Sequence, residues 1–129
     1  MTAHQPFGPV ESAIRLRFPR TPVTLVTYGQ GVSFELDYDV DGIELRLGKG
    51  RHASDLPWYC LESIPAFLQA QRGWVIAGGY HSVSGRPGTL DAYLKSWQTT
   101  DVARWLVRVL AEAGVVDVDD GRPLRLRAR

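Results

Sequence analysis

Apolar and polar residues alternate along three segments in the first half of the chain, 13–18, 32–38 and 43–47. This period is typical of strands that bury one face. The β-branched residues of 22–28 predict a further strand. Gly29-Gln30-Gly31 is expected to form the turn that connects this strand to the next one.

Asp41-Gly42 lies between the last two alternating segments. Asp-Gly flanked by alternating apolar residues is among the strongest short-range signals for a hairpin. We therefore predict an antiparallel β-sheet element over 13–52. Residues 1–12 show no such periodicity and are expected to form a flexible tail.

After the sheet element the apolar positions follow a helical period. A first helix is predicted over 56–71, with Ser54 or Asp55 as its N-cap and a kink or break at Pro65. Its apolar stripe consists of Trp58, Leu61, Ile64 and Leu68. A short strand over 73–77 is expected to follow.

Two more helices are predicted, one over 90–97 with Thr89 as its N-cap and one over 101–113 capped by Thr99 or Thr100. At 100° per residue, the core face of the third helix comprises Val102, Leu106, Val109, Leu110 and Ala113. Arg104 and Arg108 lie on the opposite, polar side.

Gly114 is expected to end the third helix. The segment 115–128 is predicted to form a β-hairpin around a turn at 119–122. The whole chain is therefore predicted to have an α+β fold. In that fold the small N-terminal antiparallel sheet packs on or beside a C-terminal domain over 53–129, and the two share one core.

Composition and charge limit the function classes. A chain of 129 residues that is 44% hydrophobic and 22% charged is expected to form one globular domain. It has no apolar run of the roughly 18–20 residues that a membrane helix needs, and the single cysteine, Cys60, can form neither an internal disulfide nor a zinc site. We expect a cytoplasmic protein that does not bind a membrane. The net charge of 15 − 14 = +1 excludes a polybasic nucleic-acid clamp, so any partner preference depends on local patches.

The C-terminal elements follow the order helix, short strand, helix, three-residue polar turn, helix and two-stranded hairpin. Over roughly 56–128 this order resembles the winged helix-turn-helix superfamily. The segment 99–110 resembles the recognition helix of that superfamily, and 111–116 looks like its exit into the wing. The resemblance implies that a recognition helix over 100–113 enters the major groove of duplex DNA and that a basic wing over 115–128 reaches the adjacent backbone or minor groove.

The nucleic-acid-binding residues predicted from this resemblance are basic or hydroxyl-bearing, because such side chains reach phosphates and base edges. They are Arg86, Lys95, Thr99, Thr100, Arg104, Arg108, Arg122, Arg125 and Arg127. Aspartates near the same surface would repel phosphate: Asp101, Asp117, Asp119 and Asp120.

The sequence therefore predicts a non-enzymatic double-stranded DNA-binding protein, for instance a transcriptional regulator, that uses no cofactor. One alternative is a protein-protein interaction or assembly module built on a winged helix, without DNA binding. Its N-terminal sheet would pair with a protein partner or with a second copy of the chain. A small-molecule-binding or enzymatic role is the third hypothesis.

Three weaker signals are interpreted structurally. The segment 37–42 matches the start of an EF-hand loop, but the twelfth position is Gly48 rather than Glu, so a hairpin without metal is expected. The glycine-rich segment 48–52 lacks P-loop spacing and is expected to be a turn. Cys60 lies within a predicted buried helix and is expected to be structural rather than catalytic.

Overall fold

The computed structural model describes residues 7–29, 31–47, 52–78 and 87–129. Its N-terminal part contains α1 (Pro9–Arg17), β1 (Val23–Val26), β2 (Ser33–Tyr38), β3 (Gly42–Leu47) and β4 (His52–Pro57). Its C-terminal part contains α2 (Trp58–Ala70), β5 (Val75–Ile76), α3 (Leu90–Leu94), α4 (Ala103–Glu112), β6 (Val116–Asp119) and β7 (Arg125–Ala128). The predicted α+β class is confirmed.

The first four strands form an antiparallel sheet in the order β1-β2-β3-β4. Both predicted hairpins are confirmed, since β1 pairs with β2 and β2 pairs with β3, with Tyr38 opposite Ile43. The Asp39 carboxylate stabilises the second turn, because it accepts hydrogen bonds from the backbone N–H groups of Asp41 at 2.8 Å and Gly42 at 3.2 Å. Buried apolar residues alternate with charged ones along β2 and β3, so the sheet has one apolar and one charged face.

The first element is the helix α1, and the predicted strand over 13–18 is wrong. The buried apolar side chains lie at helical spacing: Val10, Ile14 and Phe18. A strand would have placed Leu16 on the same buried face as Ile14, but Leu16 is 85% exposed. The predicted flexible tail over 1–12 is also wrong from Pro9 onward, where α1 begins with the fixed φ that proline brings to a first helical position.

The strand β4 replaces the predicted start of the next helix. It pairs antiparallel with β3, so the sheet element runs to residue 57 rather than ending at residue 52. Ser54 and Asp55 lie within this strand, and the prediction that one of them caps the helix is wrong. Instead Pro57 is the N-cap residue of α2. The helix begins at Trp58 and continues through Pro65 without a break.

The second sheet contains three antiparallel strands in the order β5-β7-β6. The predicted short strand and the predicted C-terminal hairpin are therefore both present, and they belong to one sheet. The helix that follows β5 in sequence, α3, is capped as predicted, because Thr89 Oγ1 accepts a hydrogen bond from the backbone N–H of Ala92 at 3.1 Å.

The last helix, α4, begins at Ala103 after Val102, which provides no side-chain cap. The prediction that Thr99 or Thr100 caps this helix is therefore wrong. Gly114 follows the helix with a φ of 77°, a conformation that favours glycine, and ends the helix where the sequence predicts.

Residues from both parts of the chain form one cluster of buried apolar side chains. Fully buried members include Ile14 of α1, Leu36 of β2, Leu61 of α2 and Leu106 of α4. The helix α1 packs against α2 and α4, and β1 also packs against α4. Within the described ranges, no helix is both long and apolar enough to cross a membrane.

Candidate functional site

The helix that matches the predicted recognition helix, α4, is covered by other parts of the molecule. All of its residues are buried or half-buried. Beyond the predicted core face, Ala103 and Val107 are also fully buried. The neighbours that pack against α4 include α1, β1 and β6. A recognition helix must present an exposed face to the major groove. This packing therefore limits how far α4 could enter such a groove.

Arg108 of α4 is directed toward the N-terminal part of the molecule. Its guanidinium lies 4.7 Å from the ring centroid of Tyr28, which follows β1, and 3.3 Å from the Glu112 carboxylate. Glu112 also pairs with Arg17 of α1 at 2.7 Å. Burial raises the pKa of the Tyr28 hydroxyl above its ordinary value, although the charge of Arg108 opposes this shift. The predicted DNA contact Arg108 therefore takes part in the contacts that hold α4 to α1 and the β1–β2 hairpin.

Arg104 lies one turn earlier on α4 and lines a cavity of about 370 Å³. The same cavity is lined by Arg122 and Asp120 from the β6–β7 turn and by Tyr28. The Arg104 guanidinium also lies 5.1 Å from the ring centroid of Trp105. The fold thus brings together two of the predicted arginines from different elements, Arg104 and Arg122.

Lys95, which follows α3, is held by carboxylates. It pairs with Asp91 at 3.1 Å and with Asp101, and Asp91 is only 1% exposed. Desolvation lowers the pKa of the Lys95 ammonium, but the hydrogen bonds to Asp101 and Asp91 outweigh it, so the net pKa is raised. Thr99 and Thr100 are exposed in the turn before α4, and the backbone N–H of Thr100 donates to the Gln98 side chain at 2.9 Å.

The predicted wing carries paired charges on one face. Arg125 of β7 pairs with Asp119 of β6, and Arg127 pairs with Asp117 at 3.4 Å. The hydrogen bond from Arg125 lowers the pKa of Asp119, with a further contribution from the backbone N–H of Gly121. These cross-strand pairs neutralise much of the positive charge that the resemblance assigns to DNA binding.

The sequence prediction omits two aromatic residues that contact the predicted arginines. Tyr28 meets Arg108, and the ring of Trp74 lies 4.4 Å from the Arg127 guanidinium. Both residues adjoin a glycine in the sequence, which marks a turn but does not reveal which distant side chain they contact. The remaining predicted site residue, Arg86, and the glycine-rich segment 48–51 lie outside the described residues.

The outer face of the four-stranded sheet is acidic. Asp37, Glu44 and Asp55 lie side by side on β2, β3 and β4. Arg46 is the basic residue among them and pairs with Glu44 at 2.7 Å and with Glu35 at 3.3 Å. Hydrogen bonding to Glu44 raises the pKa of Arg46. Over the described residues, no group of three or more His, Cys, Asp or Glu side chains is arranged to hold a metal ion.

A further surface, formed by α2, α3 and the residues just after α3, is aromatic. The rings of Tyr59 and Trp97 meet edge to face with centroids 4.9 Å apart, and those of Phe67 and Tyr93 stack at 4.4 Å. Tyr59 is 67% exposed. The neighbouring thiol of Cys60 is buried, and burial raises its pKa to about 12, which makes it a poor nucleophile at neutral pH.

Comparison of the chain with protein-family models, with curated proteins and with solved structures finds no match in any of the three. A function for the chain therefore follows from its own contacts and charges.

Proposed function

We propose that the chain is a winged helix that acts as a protein-protein interaction or assembly module rather than as a DNA-binding protein. One observation carries this proposal: every residue of α4 is buried or half-buried beneath neighbouring elements. The helix α4 packs against α1 and β1, and insertion into a major groove would require it to give up contacts with these elements.

The winged-helix part of the proposal rests on the order of elements. The helices and strands α2, β5, α3, α4, β6 and β7 follow the order of the superfamily that the sequence resembles. The strand β5 joins the C-terminal hairpin in one sheet, which agrees with its assignment to the same unit as the wing.

Charge also favours a protein partner over DNA. The wing arginines Arg125 and Arg127 are paired with aspartates, and the outer face of the four-stranded sheet is acidic. Both features weaken the attraction of a duplex that carries about one negative charge per 1.7 Å of its axis. A cytoplasmic location remains part of the proposal and rests on the sequence alone.

Self-assembly is the form of the proposal that purified protein can test. Exposed apolar side chains suited to a protein contact occur on α1 and α2, with Leu16 85% and Tyr59 67% exposed. Sedimentation velocity over a range of protein concentrations should give a mass that rises above 14.4 kDa. Tyr59→Ser should reduce the association if α2 contributes, and Val40→Ser, at another exposed apolar position, is the matched control. A 14.4 kDa species at every concentration would contradict self-assembly.

Double-stranded DNA binding is the second candidate function, because Arg104 and Arg122 line one cavity and Thr99 and Thr100 are exposed before α4. In this case the arginines would contact phosphates from the side of α4 instead of the helix entering the groove. This candidate predicts duplex binding that weakens with salt and that Arg122→Ala weakens further.

A further inference from the structure

A cavity of about 370 Å³ lies where three segments meet. The turn after β1 contributes Tyr28 and Gly29, α4 contributes Arg104, and the β6–β7 turn contributes residues 120–124. Sites for small molecules typically enclose about 300–1,000 Å³. The cavity is therefore large enough for a small ligand, and side chains distant in the sequence line it.

The polar side chains of the cavity suit an anion that also carries hydroxyl groups. Arg104 and Arg122 supply guanidinium donors, and guanidinium groups match the oxygens of a phosphate in a planar, two-pronged geometry. Arg122 is exposed and forms no ion pair with any described residue. Asp120 adds an acceptor for a ligand hydroxyl, and Pro123 adds an apolar wall.

Tyr28 is held in position by its contact with Arg108, whose guanidinium lies 4.7 Å from the ring centroid. The adjacent Gly29 has a φ of 79° and no side chain, which leaves that side of the cavity open. The cavity thus combines a fixed aromatic wall, two arginines and an open side.

We propose that this cavity binds a small phosphate monoester that carries hydroxyl groups, such as a sugar phosphate or a nucleotide. Its phosphate lies between Arg104 and Arg122. A phosphate monoester carries about −1.5 to −2 charges at neutral pH, which complements two guanidinium groups better than a single carboxylate does. The proposal goes beyond the interaction function and stands independently of it, since the cavity does not depend on what covers the aromatic or acidic surfaces.

Isothermal titration calorimetry of the full chain with ribose 5-phosphate, inorganic phosphate and ribose tests this proposal. We expect saturable binding of ribose 5-phosphate, weaker binding of inorganic phosphate and no binding of ribose. Arg122→Ala should weaken ribose 5-phosphate binding about tenfold or more, because it removes a charge-assisted contact. Arg20→Ala, which removes an exposed arginine outside the cavity, should leave binding unchanged.

Arg122 lies in an exposed turn, so its replacement should leave the thermal unfolding temperature unchanged and keep the test interpretable. Arg104→Ala should weaken binding in the same way. The proposal is overturned if ribose 5-phosphate produces no saturable heat up to millimolar concentrations, or if Arg122→Ala binds it as tightly as the unmodified chain. Binding of duplex DNA without binding of ribose 5-phosphate would also overturn it and would assign the arginines to a nucleic-acid backbone.

Discussion

At the scale of single residues, a side chain from a distant helix caps α1. The N-cap residue of α1 is Gly8, which has no side chain to accept a hydrogen bond. The carboxylate of Glu62 on α2 takes this role and accepts from the backbone N–H groups of Val10 at 3.0 Å and Glu11 at 2.7 Å. A Cβ at Gly8 would lie 2.3 Å from the Glu62 carboxyl carbon, so glycine at this position makes room for the cap.

Glu62→Ala should therefore destabilise the protein, because it removes the only described side-chain acceptor at this helix end. We expect a loss of about 1–2 kcal/mol in the free energy of unfolding, measured by urea denaturation. Glu62→Gln keeps an acceptor oxygen without the charge and should lose less. Equal stability of all three proteins would show that the cap contributes nothing.

The buried thiol of Cys60 should make the stability of the protein depend on pH. The thiol pKa is raised from its ordinary value of 9.0 to about 12 in the folded chain, so the unfolded chain releases the proton first. The stability that this group contributes is fully present below pH 9 and is lost as the pH rises toward about 12. Cys60→Ala lacks this titration. The free energy of unfolding of the unmodified chain should therefore fall relative to that of Cys60→Ala as the pH rises from 9.0 toward about 12. A difference that stays constant with pH would contradict the raised pKa.

At the scale of elements, the N-terminal helix shows why a short pattern misleads. Apolar residues at 14, 16 and 18 fit a strand, but residues 10, 14 and 18 fit a helix equally well. The packing of α1 against α2 and α4 decides between the two, and this tertiary contact is not visible in the local sequence.

Two alanine substitutions distinguish the helix from the predicted strand. Ile14→Ala should cost about 2–5 kcal/mol in unfolding free energy, because Ile14 is fully buried. Leu16→Ala should change stability by less than about 0.5 kcal/mol, because Leu16 is 85% exposed. Denaturant unfolding of both variants checks this contrast, and losses of similar size would instead support a strand with both side chains on its buried face.

Elements defined by local chemistry are predicted correctly from the sequence. The Asp41-Gly42 hairpin, the Thr89 cap and the stop at Gly114 each depend on residues within a few positions of one another. The strand β4 is missed, because its sequence lacks β-branched residues and its place is set by pairing with β3.

At the scale of the whole molecule, the candidate site depends on how the two parts of the chain pack together. The prediction that Arg104 and Arg108 lie on the polar side of a helix follows from helical spacing. That spacing does not reveal that Tyr28 and Arg17, far away in the sequence, meet Arg108 and Glu112 on this helix. The surrounding contacts, rather than the helix itself, argue against insertion into a major groove.

If the covered helix α4 does not bind duplex DNA, fluorescence anisotropy of a labelled duplex will show it. A labelled mixed-sequence duplex would be titrated with the full chain from low to physiological salt, with Arg104→Ala as the comparison variant. We expect no change in anisotropy at any salt concentration and no difference between the two proteins. Binding at micromolar or lower concentrations that weakens as salt rises, and that Arg104→Ala abolishes, would contradict it.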